Sequence, residues 1–127
     1  MPARKPEELD QLFTQAFNSG NLDALVALYE PQACFEHQPG QTATGIQAIR
    51  ETLSGFLAMK PKLALEVKTL NQTGDIALTT ANWHLTGTDP DGNAMDMRGQ
   101  SVEVSRRQPD GTWLFVIDNP FGLGWDS

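Results

Sequence analysis

The sequence predicts an α+β domain, with helices in its first half and a sheet in its second. Three observations predict it. Apolar residues recur at helical spacing up to about residue 57. From residue 63 onward they alternate, as strand residues do. Asp89-Pro90-Asp91-Gly92 and Pro109-Asp110-Gly111 are turn signals of the hairpin type. Strands joined by hairpins pair antiparallel, and helices that precede them pack on one face of the sheet. The predicted order is ααβαββββ, in one domain spanning residues 1–127.

The first helix starts near Pro6, where the missing N–H costs nothing, and Glu7 and Glu8 complement the helix dipole. Leu9, Leu12, Phe13, Ala16 and Phe17 form one apolar stripe, and Gly20 ends it. Asn21 is placed to cap a second helix that carries Leu22, Leu25, Val26, Leu28 and Tyr29 as far as Pro31. Residues 33–37 read as a short strand, with Ala33, Phe35 and His37 on one face and Cys34 and Glu36 on the other. Residues 38–43 read as a loop. Thr44 and Gln47 match a capping box, and a third helix follows with Ile46, Ile49, Leu53, Phe56 and Leu57 on one side.

Beyond Pro61 the chain reads as four strands. Leu63, Leu65 and Val67 alternate, and Gly74-Asp75 turns the chain into a strand over 76–88. A strand over about 94–107 follows, then one over 112–118. Ile76 and Leu78 have the opposite parity to Trp83 and Leu85. Either a bulge intervenes, or both faces of that strand are covered.

Composition narrows the function. Nine basic against sixteen acidic residues give a net charge of −7. Nucleic-acid binding needs clustered Lys and Arg, and the basic residues form no cluster beyond pairs such as Arg106-Arg107, so no nucleic-acid partner is expected. No apolar run approaches a membrane span, and no apolar segment follows Arg4-Lys5 as in a signal peptide. No membrane association and a cytoplasmic location are the expectation. The single cysteine, Cys34, excludes an internal disulfide. No phosphate loop, G-x-S-x-G or H-E-x-x-H spacing occurs, so neither a metal nor a cofactor is expected.

The chain resembles the NTF2-like superfamily, and within it the SnoaL-like and ketosteroid-isomerase-like proteins. The resemblance lies in the run from Phe17 to Leu25, in Leu28-Tyr29, in Phe35-Glu36 with the ionisable His37 after it, in the run from Gly45 to Arg50, and in Asp110-Gly111-Thr112-Trp113. It implies a cone-shaped fold: a curved antiparallel sheet with the three helices on its concave face, closing a pocket. It also implies a convex sheet face that often forms a homodimer. It does not imply one activity, because these proteins include isomerases, dehydratases, epoxide hydrolases and non-catalytic association domains. Ketosteroid isomerases keep a carboxylate base at the position matching His37. They keep a Tyr donor at the position matching Phe13 and a protonated carboxylic acid at the one matching Glu103. Phe13 cannot donate a hydrogen bond, so steroid isomerisation itself does not follow.

The candidate catalytic residues are therefore His37, Asp118 and Glu103. His37 changes charge near neutral pH and is the candidate base. The alternative is a histidine bonded to a loop carbonyl. Glu103 lies mid-strand between Val102 and Val104; family register sends it to the pocket, alternation alone to solvent. Asp118 closes a strand that is apolar on both faces, and a buried carboxylate needs a partner. His37 would be one, with Asp118 orienting the imidazole; capping the loop after Asp118 is the alternative. Alternation groups Asp118 with Leu114 and Val116. The candidate substrate-binding residues are Phe13, Phe17, Phe35, Trp83 and Val116. The expected ligand is an apolar or aromatic small molecule. The expected reaction is cofactor-free proton transfer, with a non-catalytic binding or association domain as the rival. Met95 and Met97 read as packing, and Cys34 as buried and inert.

Overall fold

The computed structural model describes residues 2–122. Helix α1 runs Glu8–Asn18 and α2 Leu22–Val26; β1 is Tyr29–Gln38 and β2 Gln41–Thr44; α3 is Ile46–Leu57. Strands β3 (Lys62–Thr73), β4 (Ile76–Thr88), β5 (Ala94–Arg107) and β6 (Trp113–Asn119) complete the chain. The six strands form one sheet in the order β2-β1-β6-β5-β4-β3. It is curved and unclosed, with the helices on its inner face, an α+β cone of the expected kind.

Local chemistry sets the helices. Gly20 ends α1 at φ 71°, a left-handed conformation that costs an L side chain energy. Asn21 caps α2, its Oδ1 accepting from the Ala24 N–H at 3.1 Å. The Asn18 side chain ties the end of α1 to the start of β3, donating to the Leu63 carbonyl at 2.9 Å and accepting from its N–H at 2.7 Å. Leu9, Leu25, Ile49, Leu53 and Phe115 fill the space between helices and sheet.

Three expectations need correction. First, α2 stops at Val26, and Tyr29 belongs to β1. Pro31 ends no helix; it lies in β1, where pairing with β6 is irregular between Tyr29 and Cys34, so its missing N–H breaks no regular ladder. Second, residues 38–43 are no loop. Gln38–Gln41 closes a hairpin to the additional strand β2, whose Ala43 is buried opposite Phe35. Thr44 therefore pairs with Cys34, Gly45 precedes α3, and the Thr44–Gln47 capping box does not form. Third, the sheet is mixed, because β1 pairs with β6 in parallel.

Register also settles the parity conflict in β4. Its pairing with β5 runs without interruption from Ile76 to Thr88. Ala77, Thr79, Ala81, Trp83 and Leu85 face inward, while Ile76 and Leu78 face outward and are exposed. The bulges lie elsewhere: in β1 near His37, in β3 near Lys68, and between β5 and β6 at Val116. Bulges bend strands, which suits a sheet that curves around a pocket.

Candidate functional site

A pocket lies between the inner face of the sheet and helices α1 and α3. Four polar side chains, His37, Ser101, Glu103 and Asp118, line it, and the other lining residues are apolar or aromatic. Of the residues the sequence singled out, Phe13, Phe17, Phe35 and Trp83 line it as well.

Strand register brings the acids together. Glu103 of β5 pairs with Thr79 of β4 on one side and Asp118 of β6 on the other. Asp118 in turn lies opposite Phe35 of β1. These residues form one row across the sheet, all pointing inward and all buried. Glu103 therefore takes the pocket position, not the solvent one.

Val116 is the exception. It does not line the pocket. Val104 pairs with Ile117, but the neighbouring Ser105 pairs with Phe115, so Val116 is the extra residue of a bulge. The bulge reverses parity along β6. Trp113, Phe115 and Asp118 all face inward, whereas uninterrupted alternation groups Asp118 with Val116.

The pairing of Asp118 with His37 does not form either. Asp118 Oδ2 accepts a hydrogen bond from the Tyr29 hydroxyl at 2.6 Å. His37 lies two residues beyond Phe35, the partner of Asp118. That places it about 6–7 Å further along the strand, at the β1 bulge. It lines the pocket, with its ring 6.3 Å from that of Phe35.

One further acid joins from α1. Asp10 is only 3% exposed, and neither of its carboxyl oxygens has a hydrogen-bond partner. Glu103 Oε1 is likewise buried without a partner. The protonation states of Asp10 and Glu103 bear on each other. The sequence carried a signal for Asp10: with Phe13 and Phe17 it falls at i, i+3 and i+7, on the pocket-facing side of the helix.

The electrostatics follow from burial. Burial pushes Asp118 up to about 7; the Tyr29 hydrogen bond pulls it down and the charge of Asp10 pushes it up. Glu103 lies well above the usual carboxylate range. Burial is the main cause, then its hydrogen bonding to Asp10, then the charges of Asp10 and Asp118, with Ser101 acting in opposition. Burial also raises Asp10, against the pull of Glu103. Tyr29 is held well above its usual value by burial, then by the charge of Asp118 and its bond to that carboxyl. The arrangement can thus offer a neutral carboxylic acid as a donor, and a second carboxyl that exchanges a proton near neutral pH.

Trp83 forms a wall. Its indole Nε1 donates to the Pro120 carbonyl at 2.7 Å, and Phe121 meets its ring edge-on. The ring lies flat against β5: a Cβ on Gly99 would fall 2.4 Å from Trp83 Cζ2. Met97 lines the pocket while 41% exposed, so it sits at the opening and not in the packing expected of it. Cys34 is half-buried, not fully buried. Among the described residues no three His, Cys, Asp or Glu side chains converge as metal ligands. No described helix is long and apolar enough to cross a membrane.

Comparison with known proteins gives a family and a fold. The SnoaL-like domain family matches residues 9–114. A ketosteroid isomerase-like protein from Erwinia carotovora atroseptica superposes with a TM-score of 0.78 at 22% identity, over 89% of each chain. A candidate dehydratase of the NTF2-like family from Streptomyces avermitilis gives 0.74 at 17%, over 89% of this chain and 90% of that one. A candidate calcium/calmodulin-dependent protein kinase II association domain from Xanthomonas campestris gives 0.77 at 23%, over 89% and 81%. At these identities the likeness shows the fold alone. No protein of curated function matches the chain.

Proposed function

We propose that this chain, which belongs to the SnoaL-like domain family, is an enzyme that moves protons on an apolar or aromatic small molecule without a cofactor. The observation that carries this reading is the pair Glu103 and Asp118, side by side in an otherwise apolar pocket. Buried carboxyls of this kind cost several kcal/mol of stability, of the order found for other buried ionisable groups. A core whose one task is packing gains nothing from them.

The chemistry follows from their states. Glu103, neutral, donates a hydrogen bond to a carbonyl oxygen of the substrate. Asp118, when ionised, takes a proton from the adjacent carbon. The electron pair of that C–H bond becomes an enolate, whose charge rests on the oxygen that Glu103 holds. Return of the proton to another carbon gives isomerisation; loss of a β-hydroxyl gives dehydration. Tyr29 keeps Asp118 in place through its hydrogen bond. His37, lining the same pocket, is the second base, placed to exchange protons with Asp118 through water or substrate.

The rival, a non-catalytic binding or association domain, is favoured by Phe13, which supplies no donor, and by the apolar outer face of the sheet. Two measurements decide between them. Native mass spectrometry identifies a ligand carried through purification. Incubation of that ligand and of simple cyclic ketones in D2O then reads deuterium uptake at carbon. Uptake that Asp118→Asn reduces by roughly 10²-fold or more is expected, a typical general-base contribution. Binding without exchange, in the parent and the variant alike, would mean a binding domain.

A further inference from the structure

Asp10 is a buried acid that the proposed reaction does not use. It lies behind the residues that line the pocket. It has no cation beside it: no ion pair among the described residues includes Asp10, Glu103 or Asp118. Its two oxygens and Glu103 Oε1 are buried without regular partners, in a place where each should cost stability. Two neighbouring carboxyls do not both ionise readily in a dry site, so the pair holds at least one proton.

We propose that Asp10 is a positioning residue for Glu103: Glu103 holds the one proton of the pair, and the Asp10 carboxylate keeps it there, so that Glu103 can turn it to a substrate oxygen in the pocket. The inference rests on the reading of Glu103 as an acid. The groups that face Glu103 are few. Asp10 comes from α1, Asp118 from β6, and Tyr29 and His37 from β1; β4 presents Thr79, and β5 itself Ser101. No lysine or arginine lines the pocket. Asp118 bonds to Tyr29, which leaves Asp10 as the acid whose hydrogen bonding bears on Glu103. Helix α1 holds it there, because Asp10 lies between the fully buried Leu9 and the pocket-lining Phe13.

The test is carboxyl-carbon NMR of protein labelled at glutamate side chains, with the Glu103 signal assigned by its loss in Glu103→Gln. In the parent, Glu103 should titrate above the ordinary glutamate range. In Asp10→Asn, which keeps the shape and removes the charge, its midpoint should fall by about one pH unit or more, the usual scale of a neighbouring charge. If Asp10→Asn does not fold, Asp10→Ser is measured in its place. A raised Glu103 that does not move in the variant overturns this role for Asp10 and leaves the acid intact. An ordinary midpoint in the parent overturns the acid itself, and the role of Asp10 with it.

Discussion

Asp118 links burial to pH. Burial lifts its carboxyl from the usual 3.8 to about 7. An acid raised in the folded state binds a proton more tightly there than in the unfolded chain. Its contribution to stability is therefore complete below about 4 and is lost as pH rises through 7. Asp10 and Glu103 are raised too and act in the same direction. Urea unfolding should show the protein more stable at pH 5 than at pH 8, with a smaller difference in Asp118→Asn. Equal stability at both pH values in the parent would show that these carboxyls ionise without cost. Tyr29 supplies the counterweight. Tyr29→Phe removes a hydrogen bond worth about 1.5–3 kcal/mol when Asp118 is ionised. It also removes what holds Asp118 down, so the Asp118 midpoint should rise further in a carboxyl-carbon titration.

At the scale of elements, the sequence carried the helices, the hairpins and the pocket-facing aromatics because each depends on local chemistry. Asn21 caps α2, and Gly20 stops α1, through bonds and dihedrals within a few residues. Phe13 and Phe17 follow from helical period, and Phe35 and His37 from strand period. The errors required knowledge of tertiary packing, strand pairing above all. Val116 leaves the pocket because of a bulge that exists only in the pairing of β5 with β6. Tyr29 enters the site because β1 starts early and pairs with β6 in parallel. Asp10 shares the helical period of Phe13 and Phe17, but its burial comes from the packing of α1 on the sheet. Gly99 shows the same dependence and can be tested. With an alanine there, a Cβ 2.4 Å from the Trp83 ring forces the indole off β5. The displaced ring would lose its bond to the Pro120 carbonyl. Gly99→Ala should cost about 1–3 kcal/mol, the usual range for overpacking, and should change the near-ultraviolet circular dichroism of Trp83. An unchanged spectrum at parental stability would show that the ring is free to move aside.

At the scale of the whole molecule, the outer face of the sheet is the remaining apolar surface. Leu78, Val104, Ile117 and Cys34 are successive partners across β4, β5, β6 and β1, one row on that face. Leu78 is 41% and Ile117 43% exposed, and Ile76 lies beside them. Polar contacts border the row. Arg106 makes a two-pronged ion pair with Glu30, whose carboxylate also accepts from Gln108. His84 meets Asp96 at 2.7 Å further along β4 and β5. An apolar centre with a polar rim is the pattern of a protein interface, and we propose that a second copy of this chain covers it. A copy related by a two-fold axis would set the two rows against each other, which needs no second kind of surface. Sedimentation of the parent at micromolar concentration should give twice the 13.9 kDa chain mass. Leu78→Lys with Ile117→Lys places charge at the centre of the row, with the new side chains on the face opposite the pocket acids. That variant should sediment as the single chain while its Glu103 and Asp118 titrations stay as in the parent. A parent that sediments at 13.9 kDa would leave the row a solvent-exposed feature of a monomer. A double variant that remains dimeric would place the contact elsewhere on the molecule.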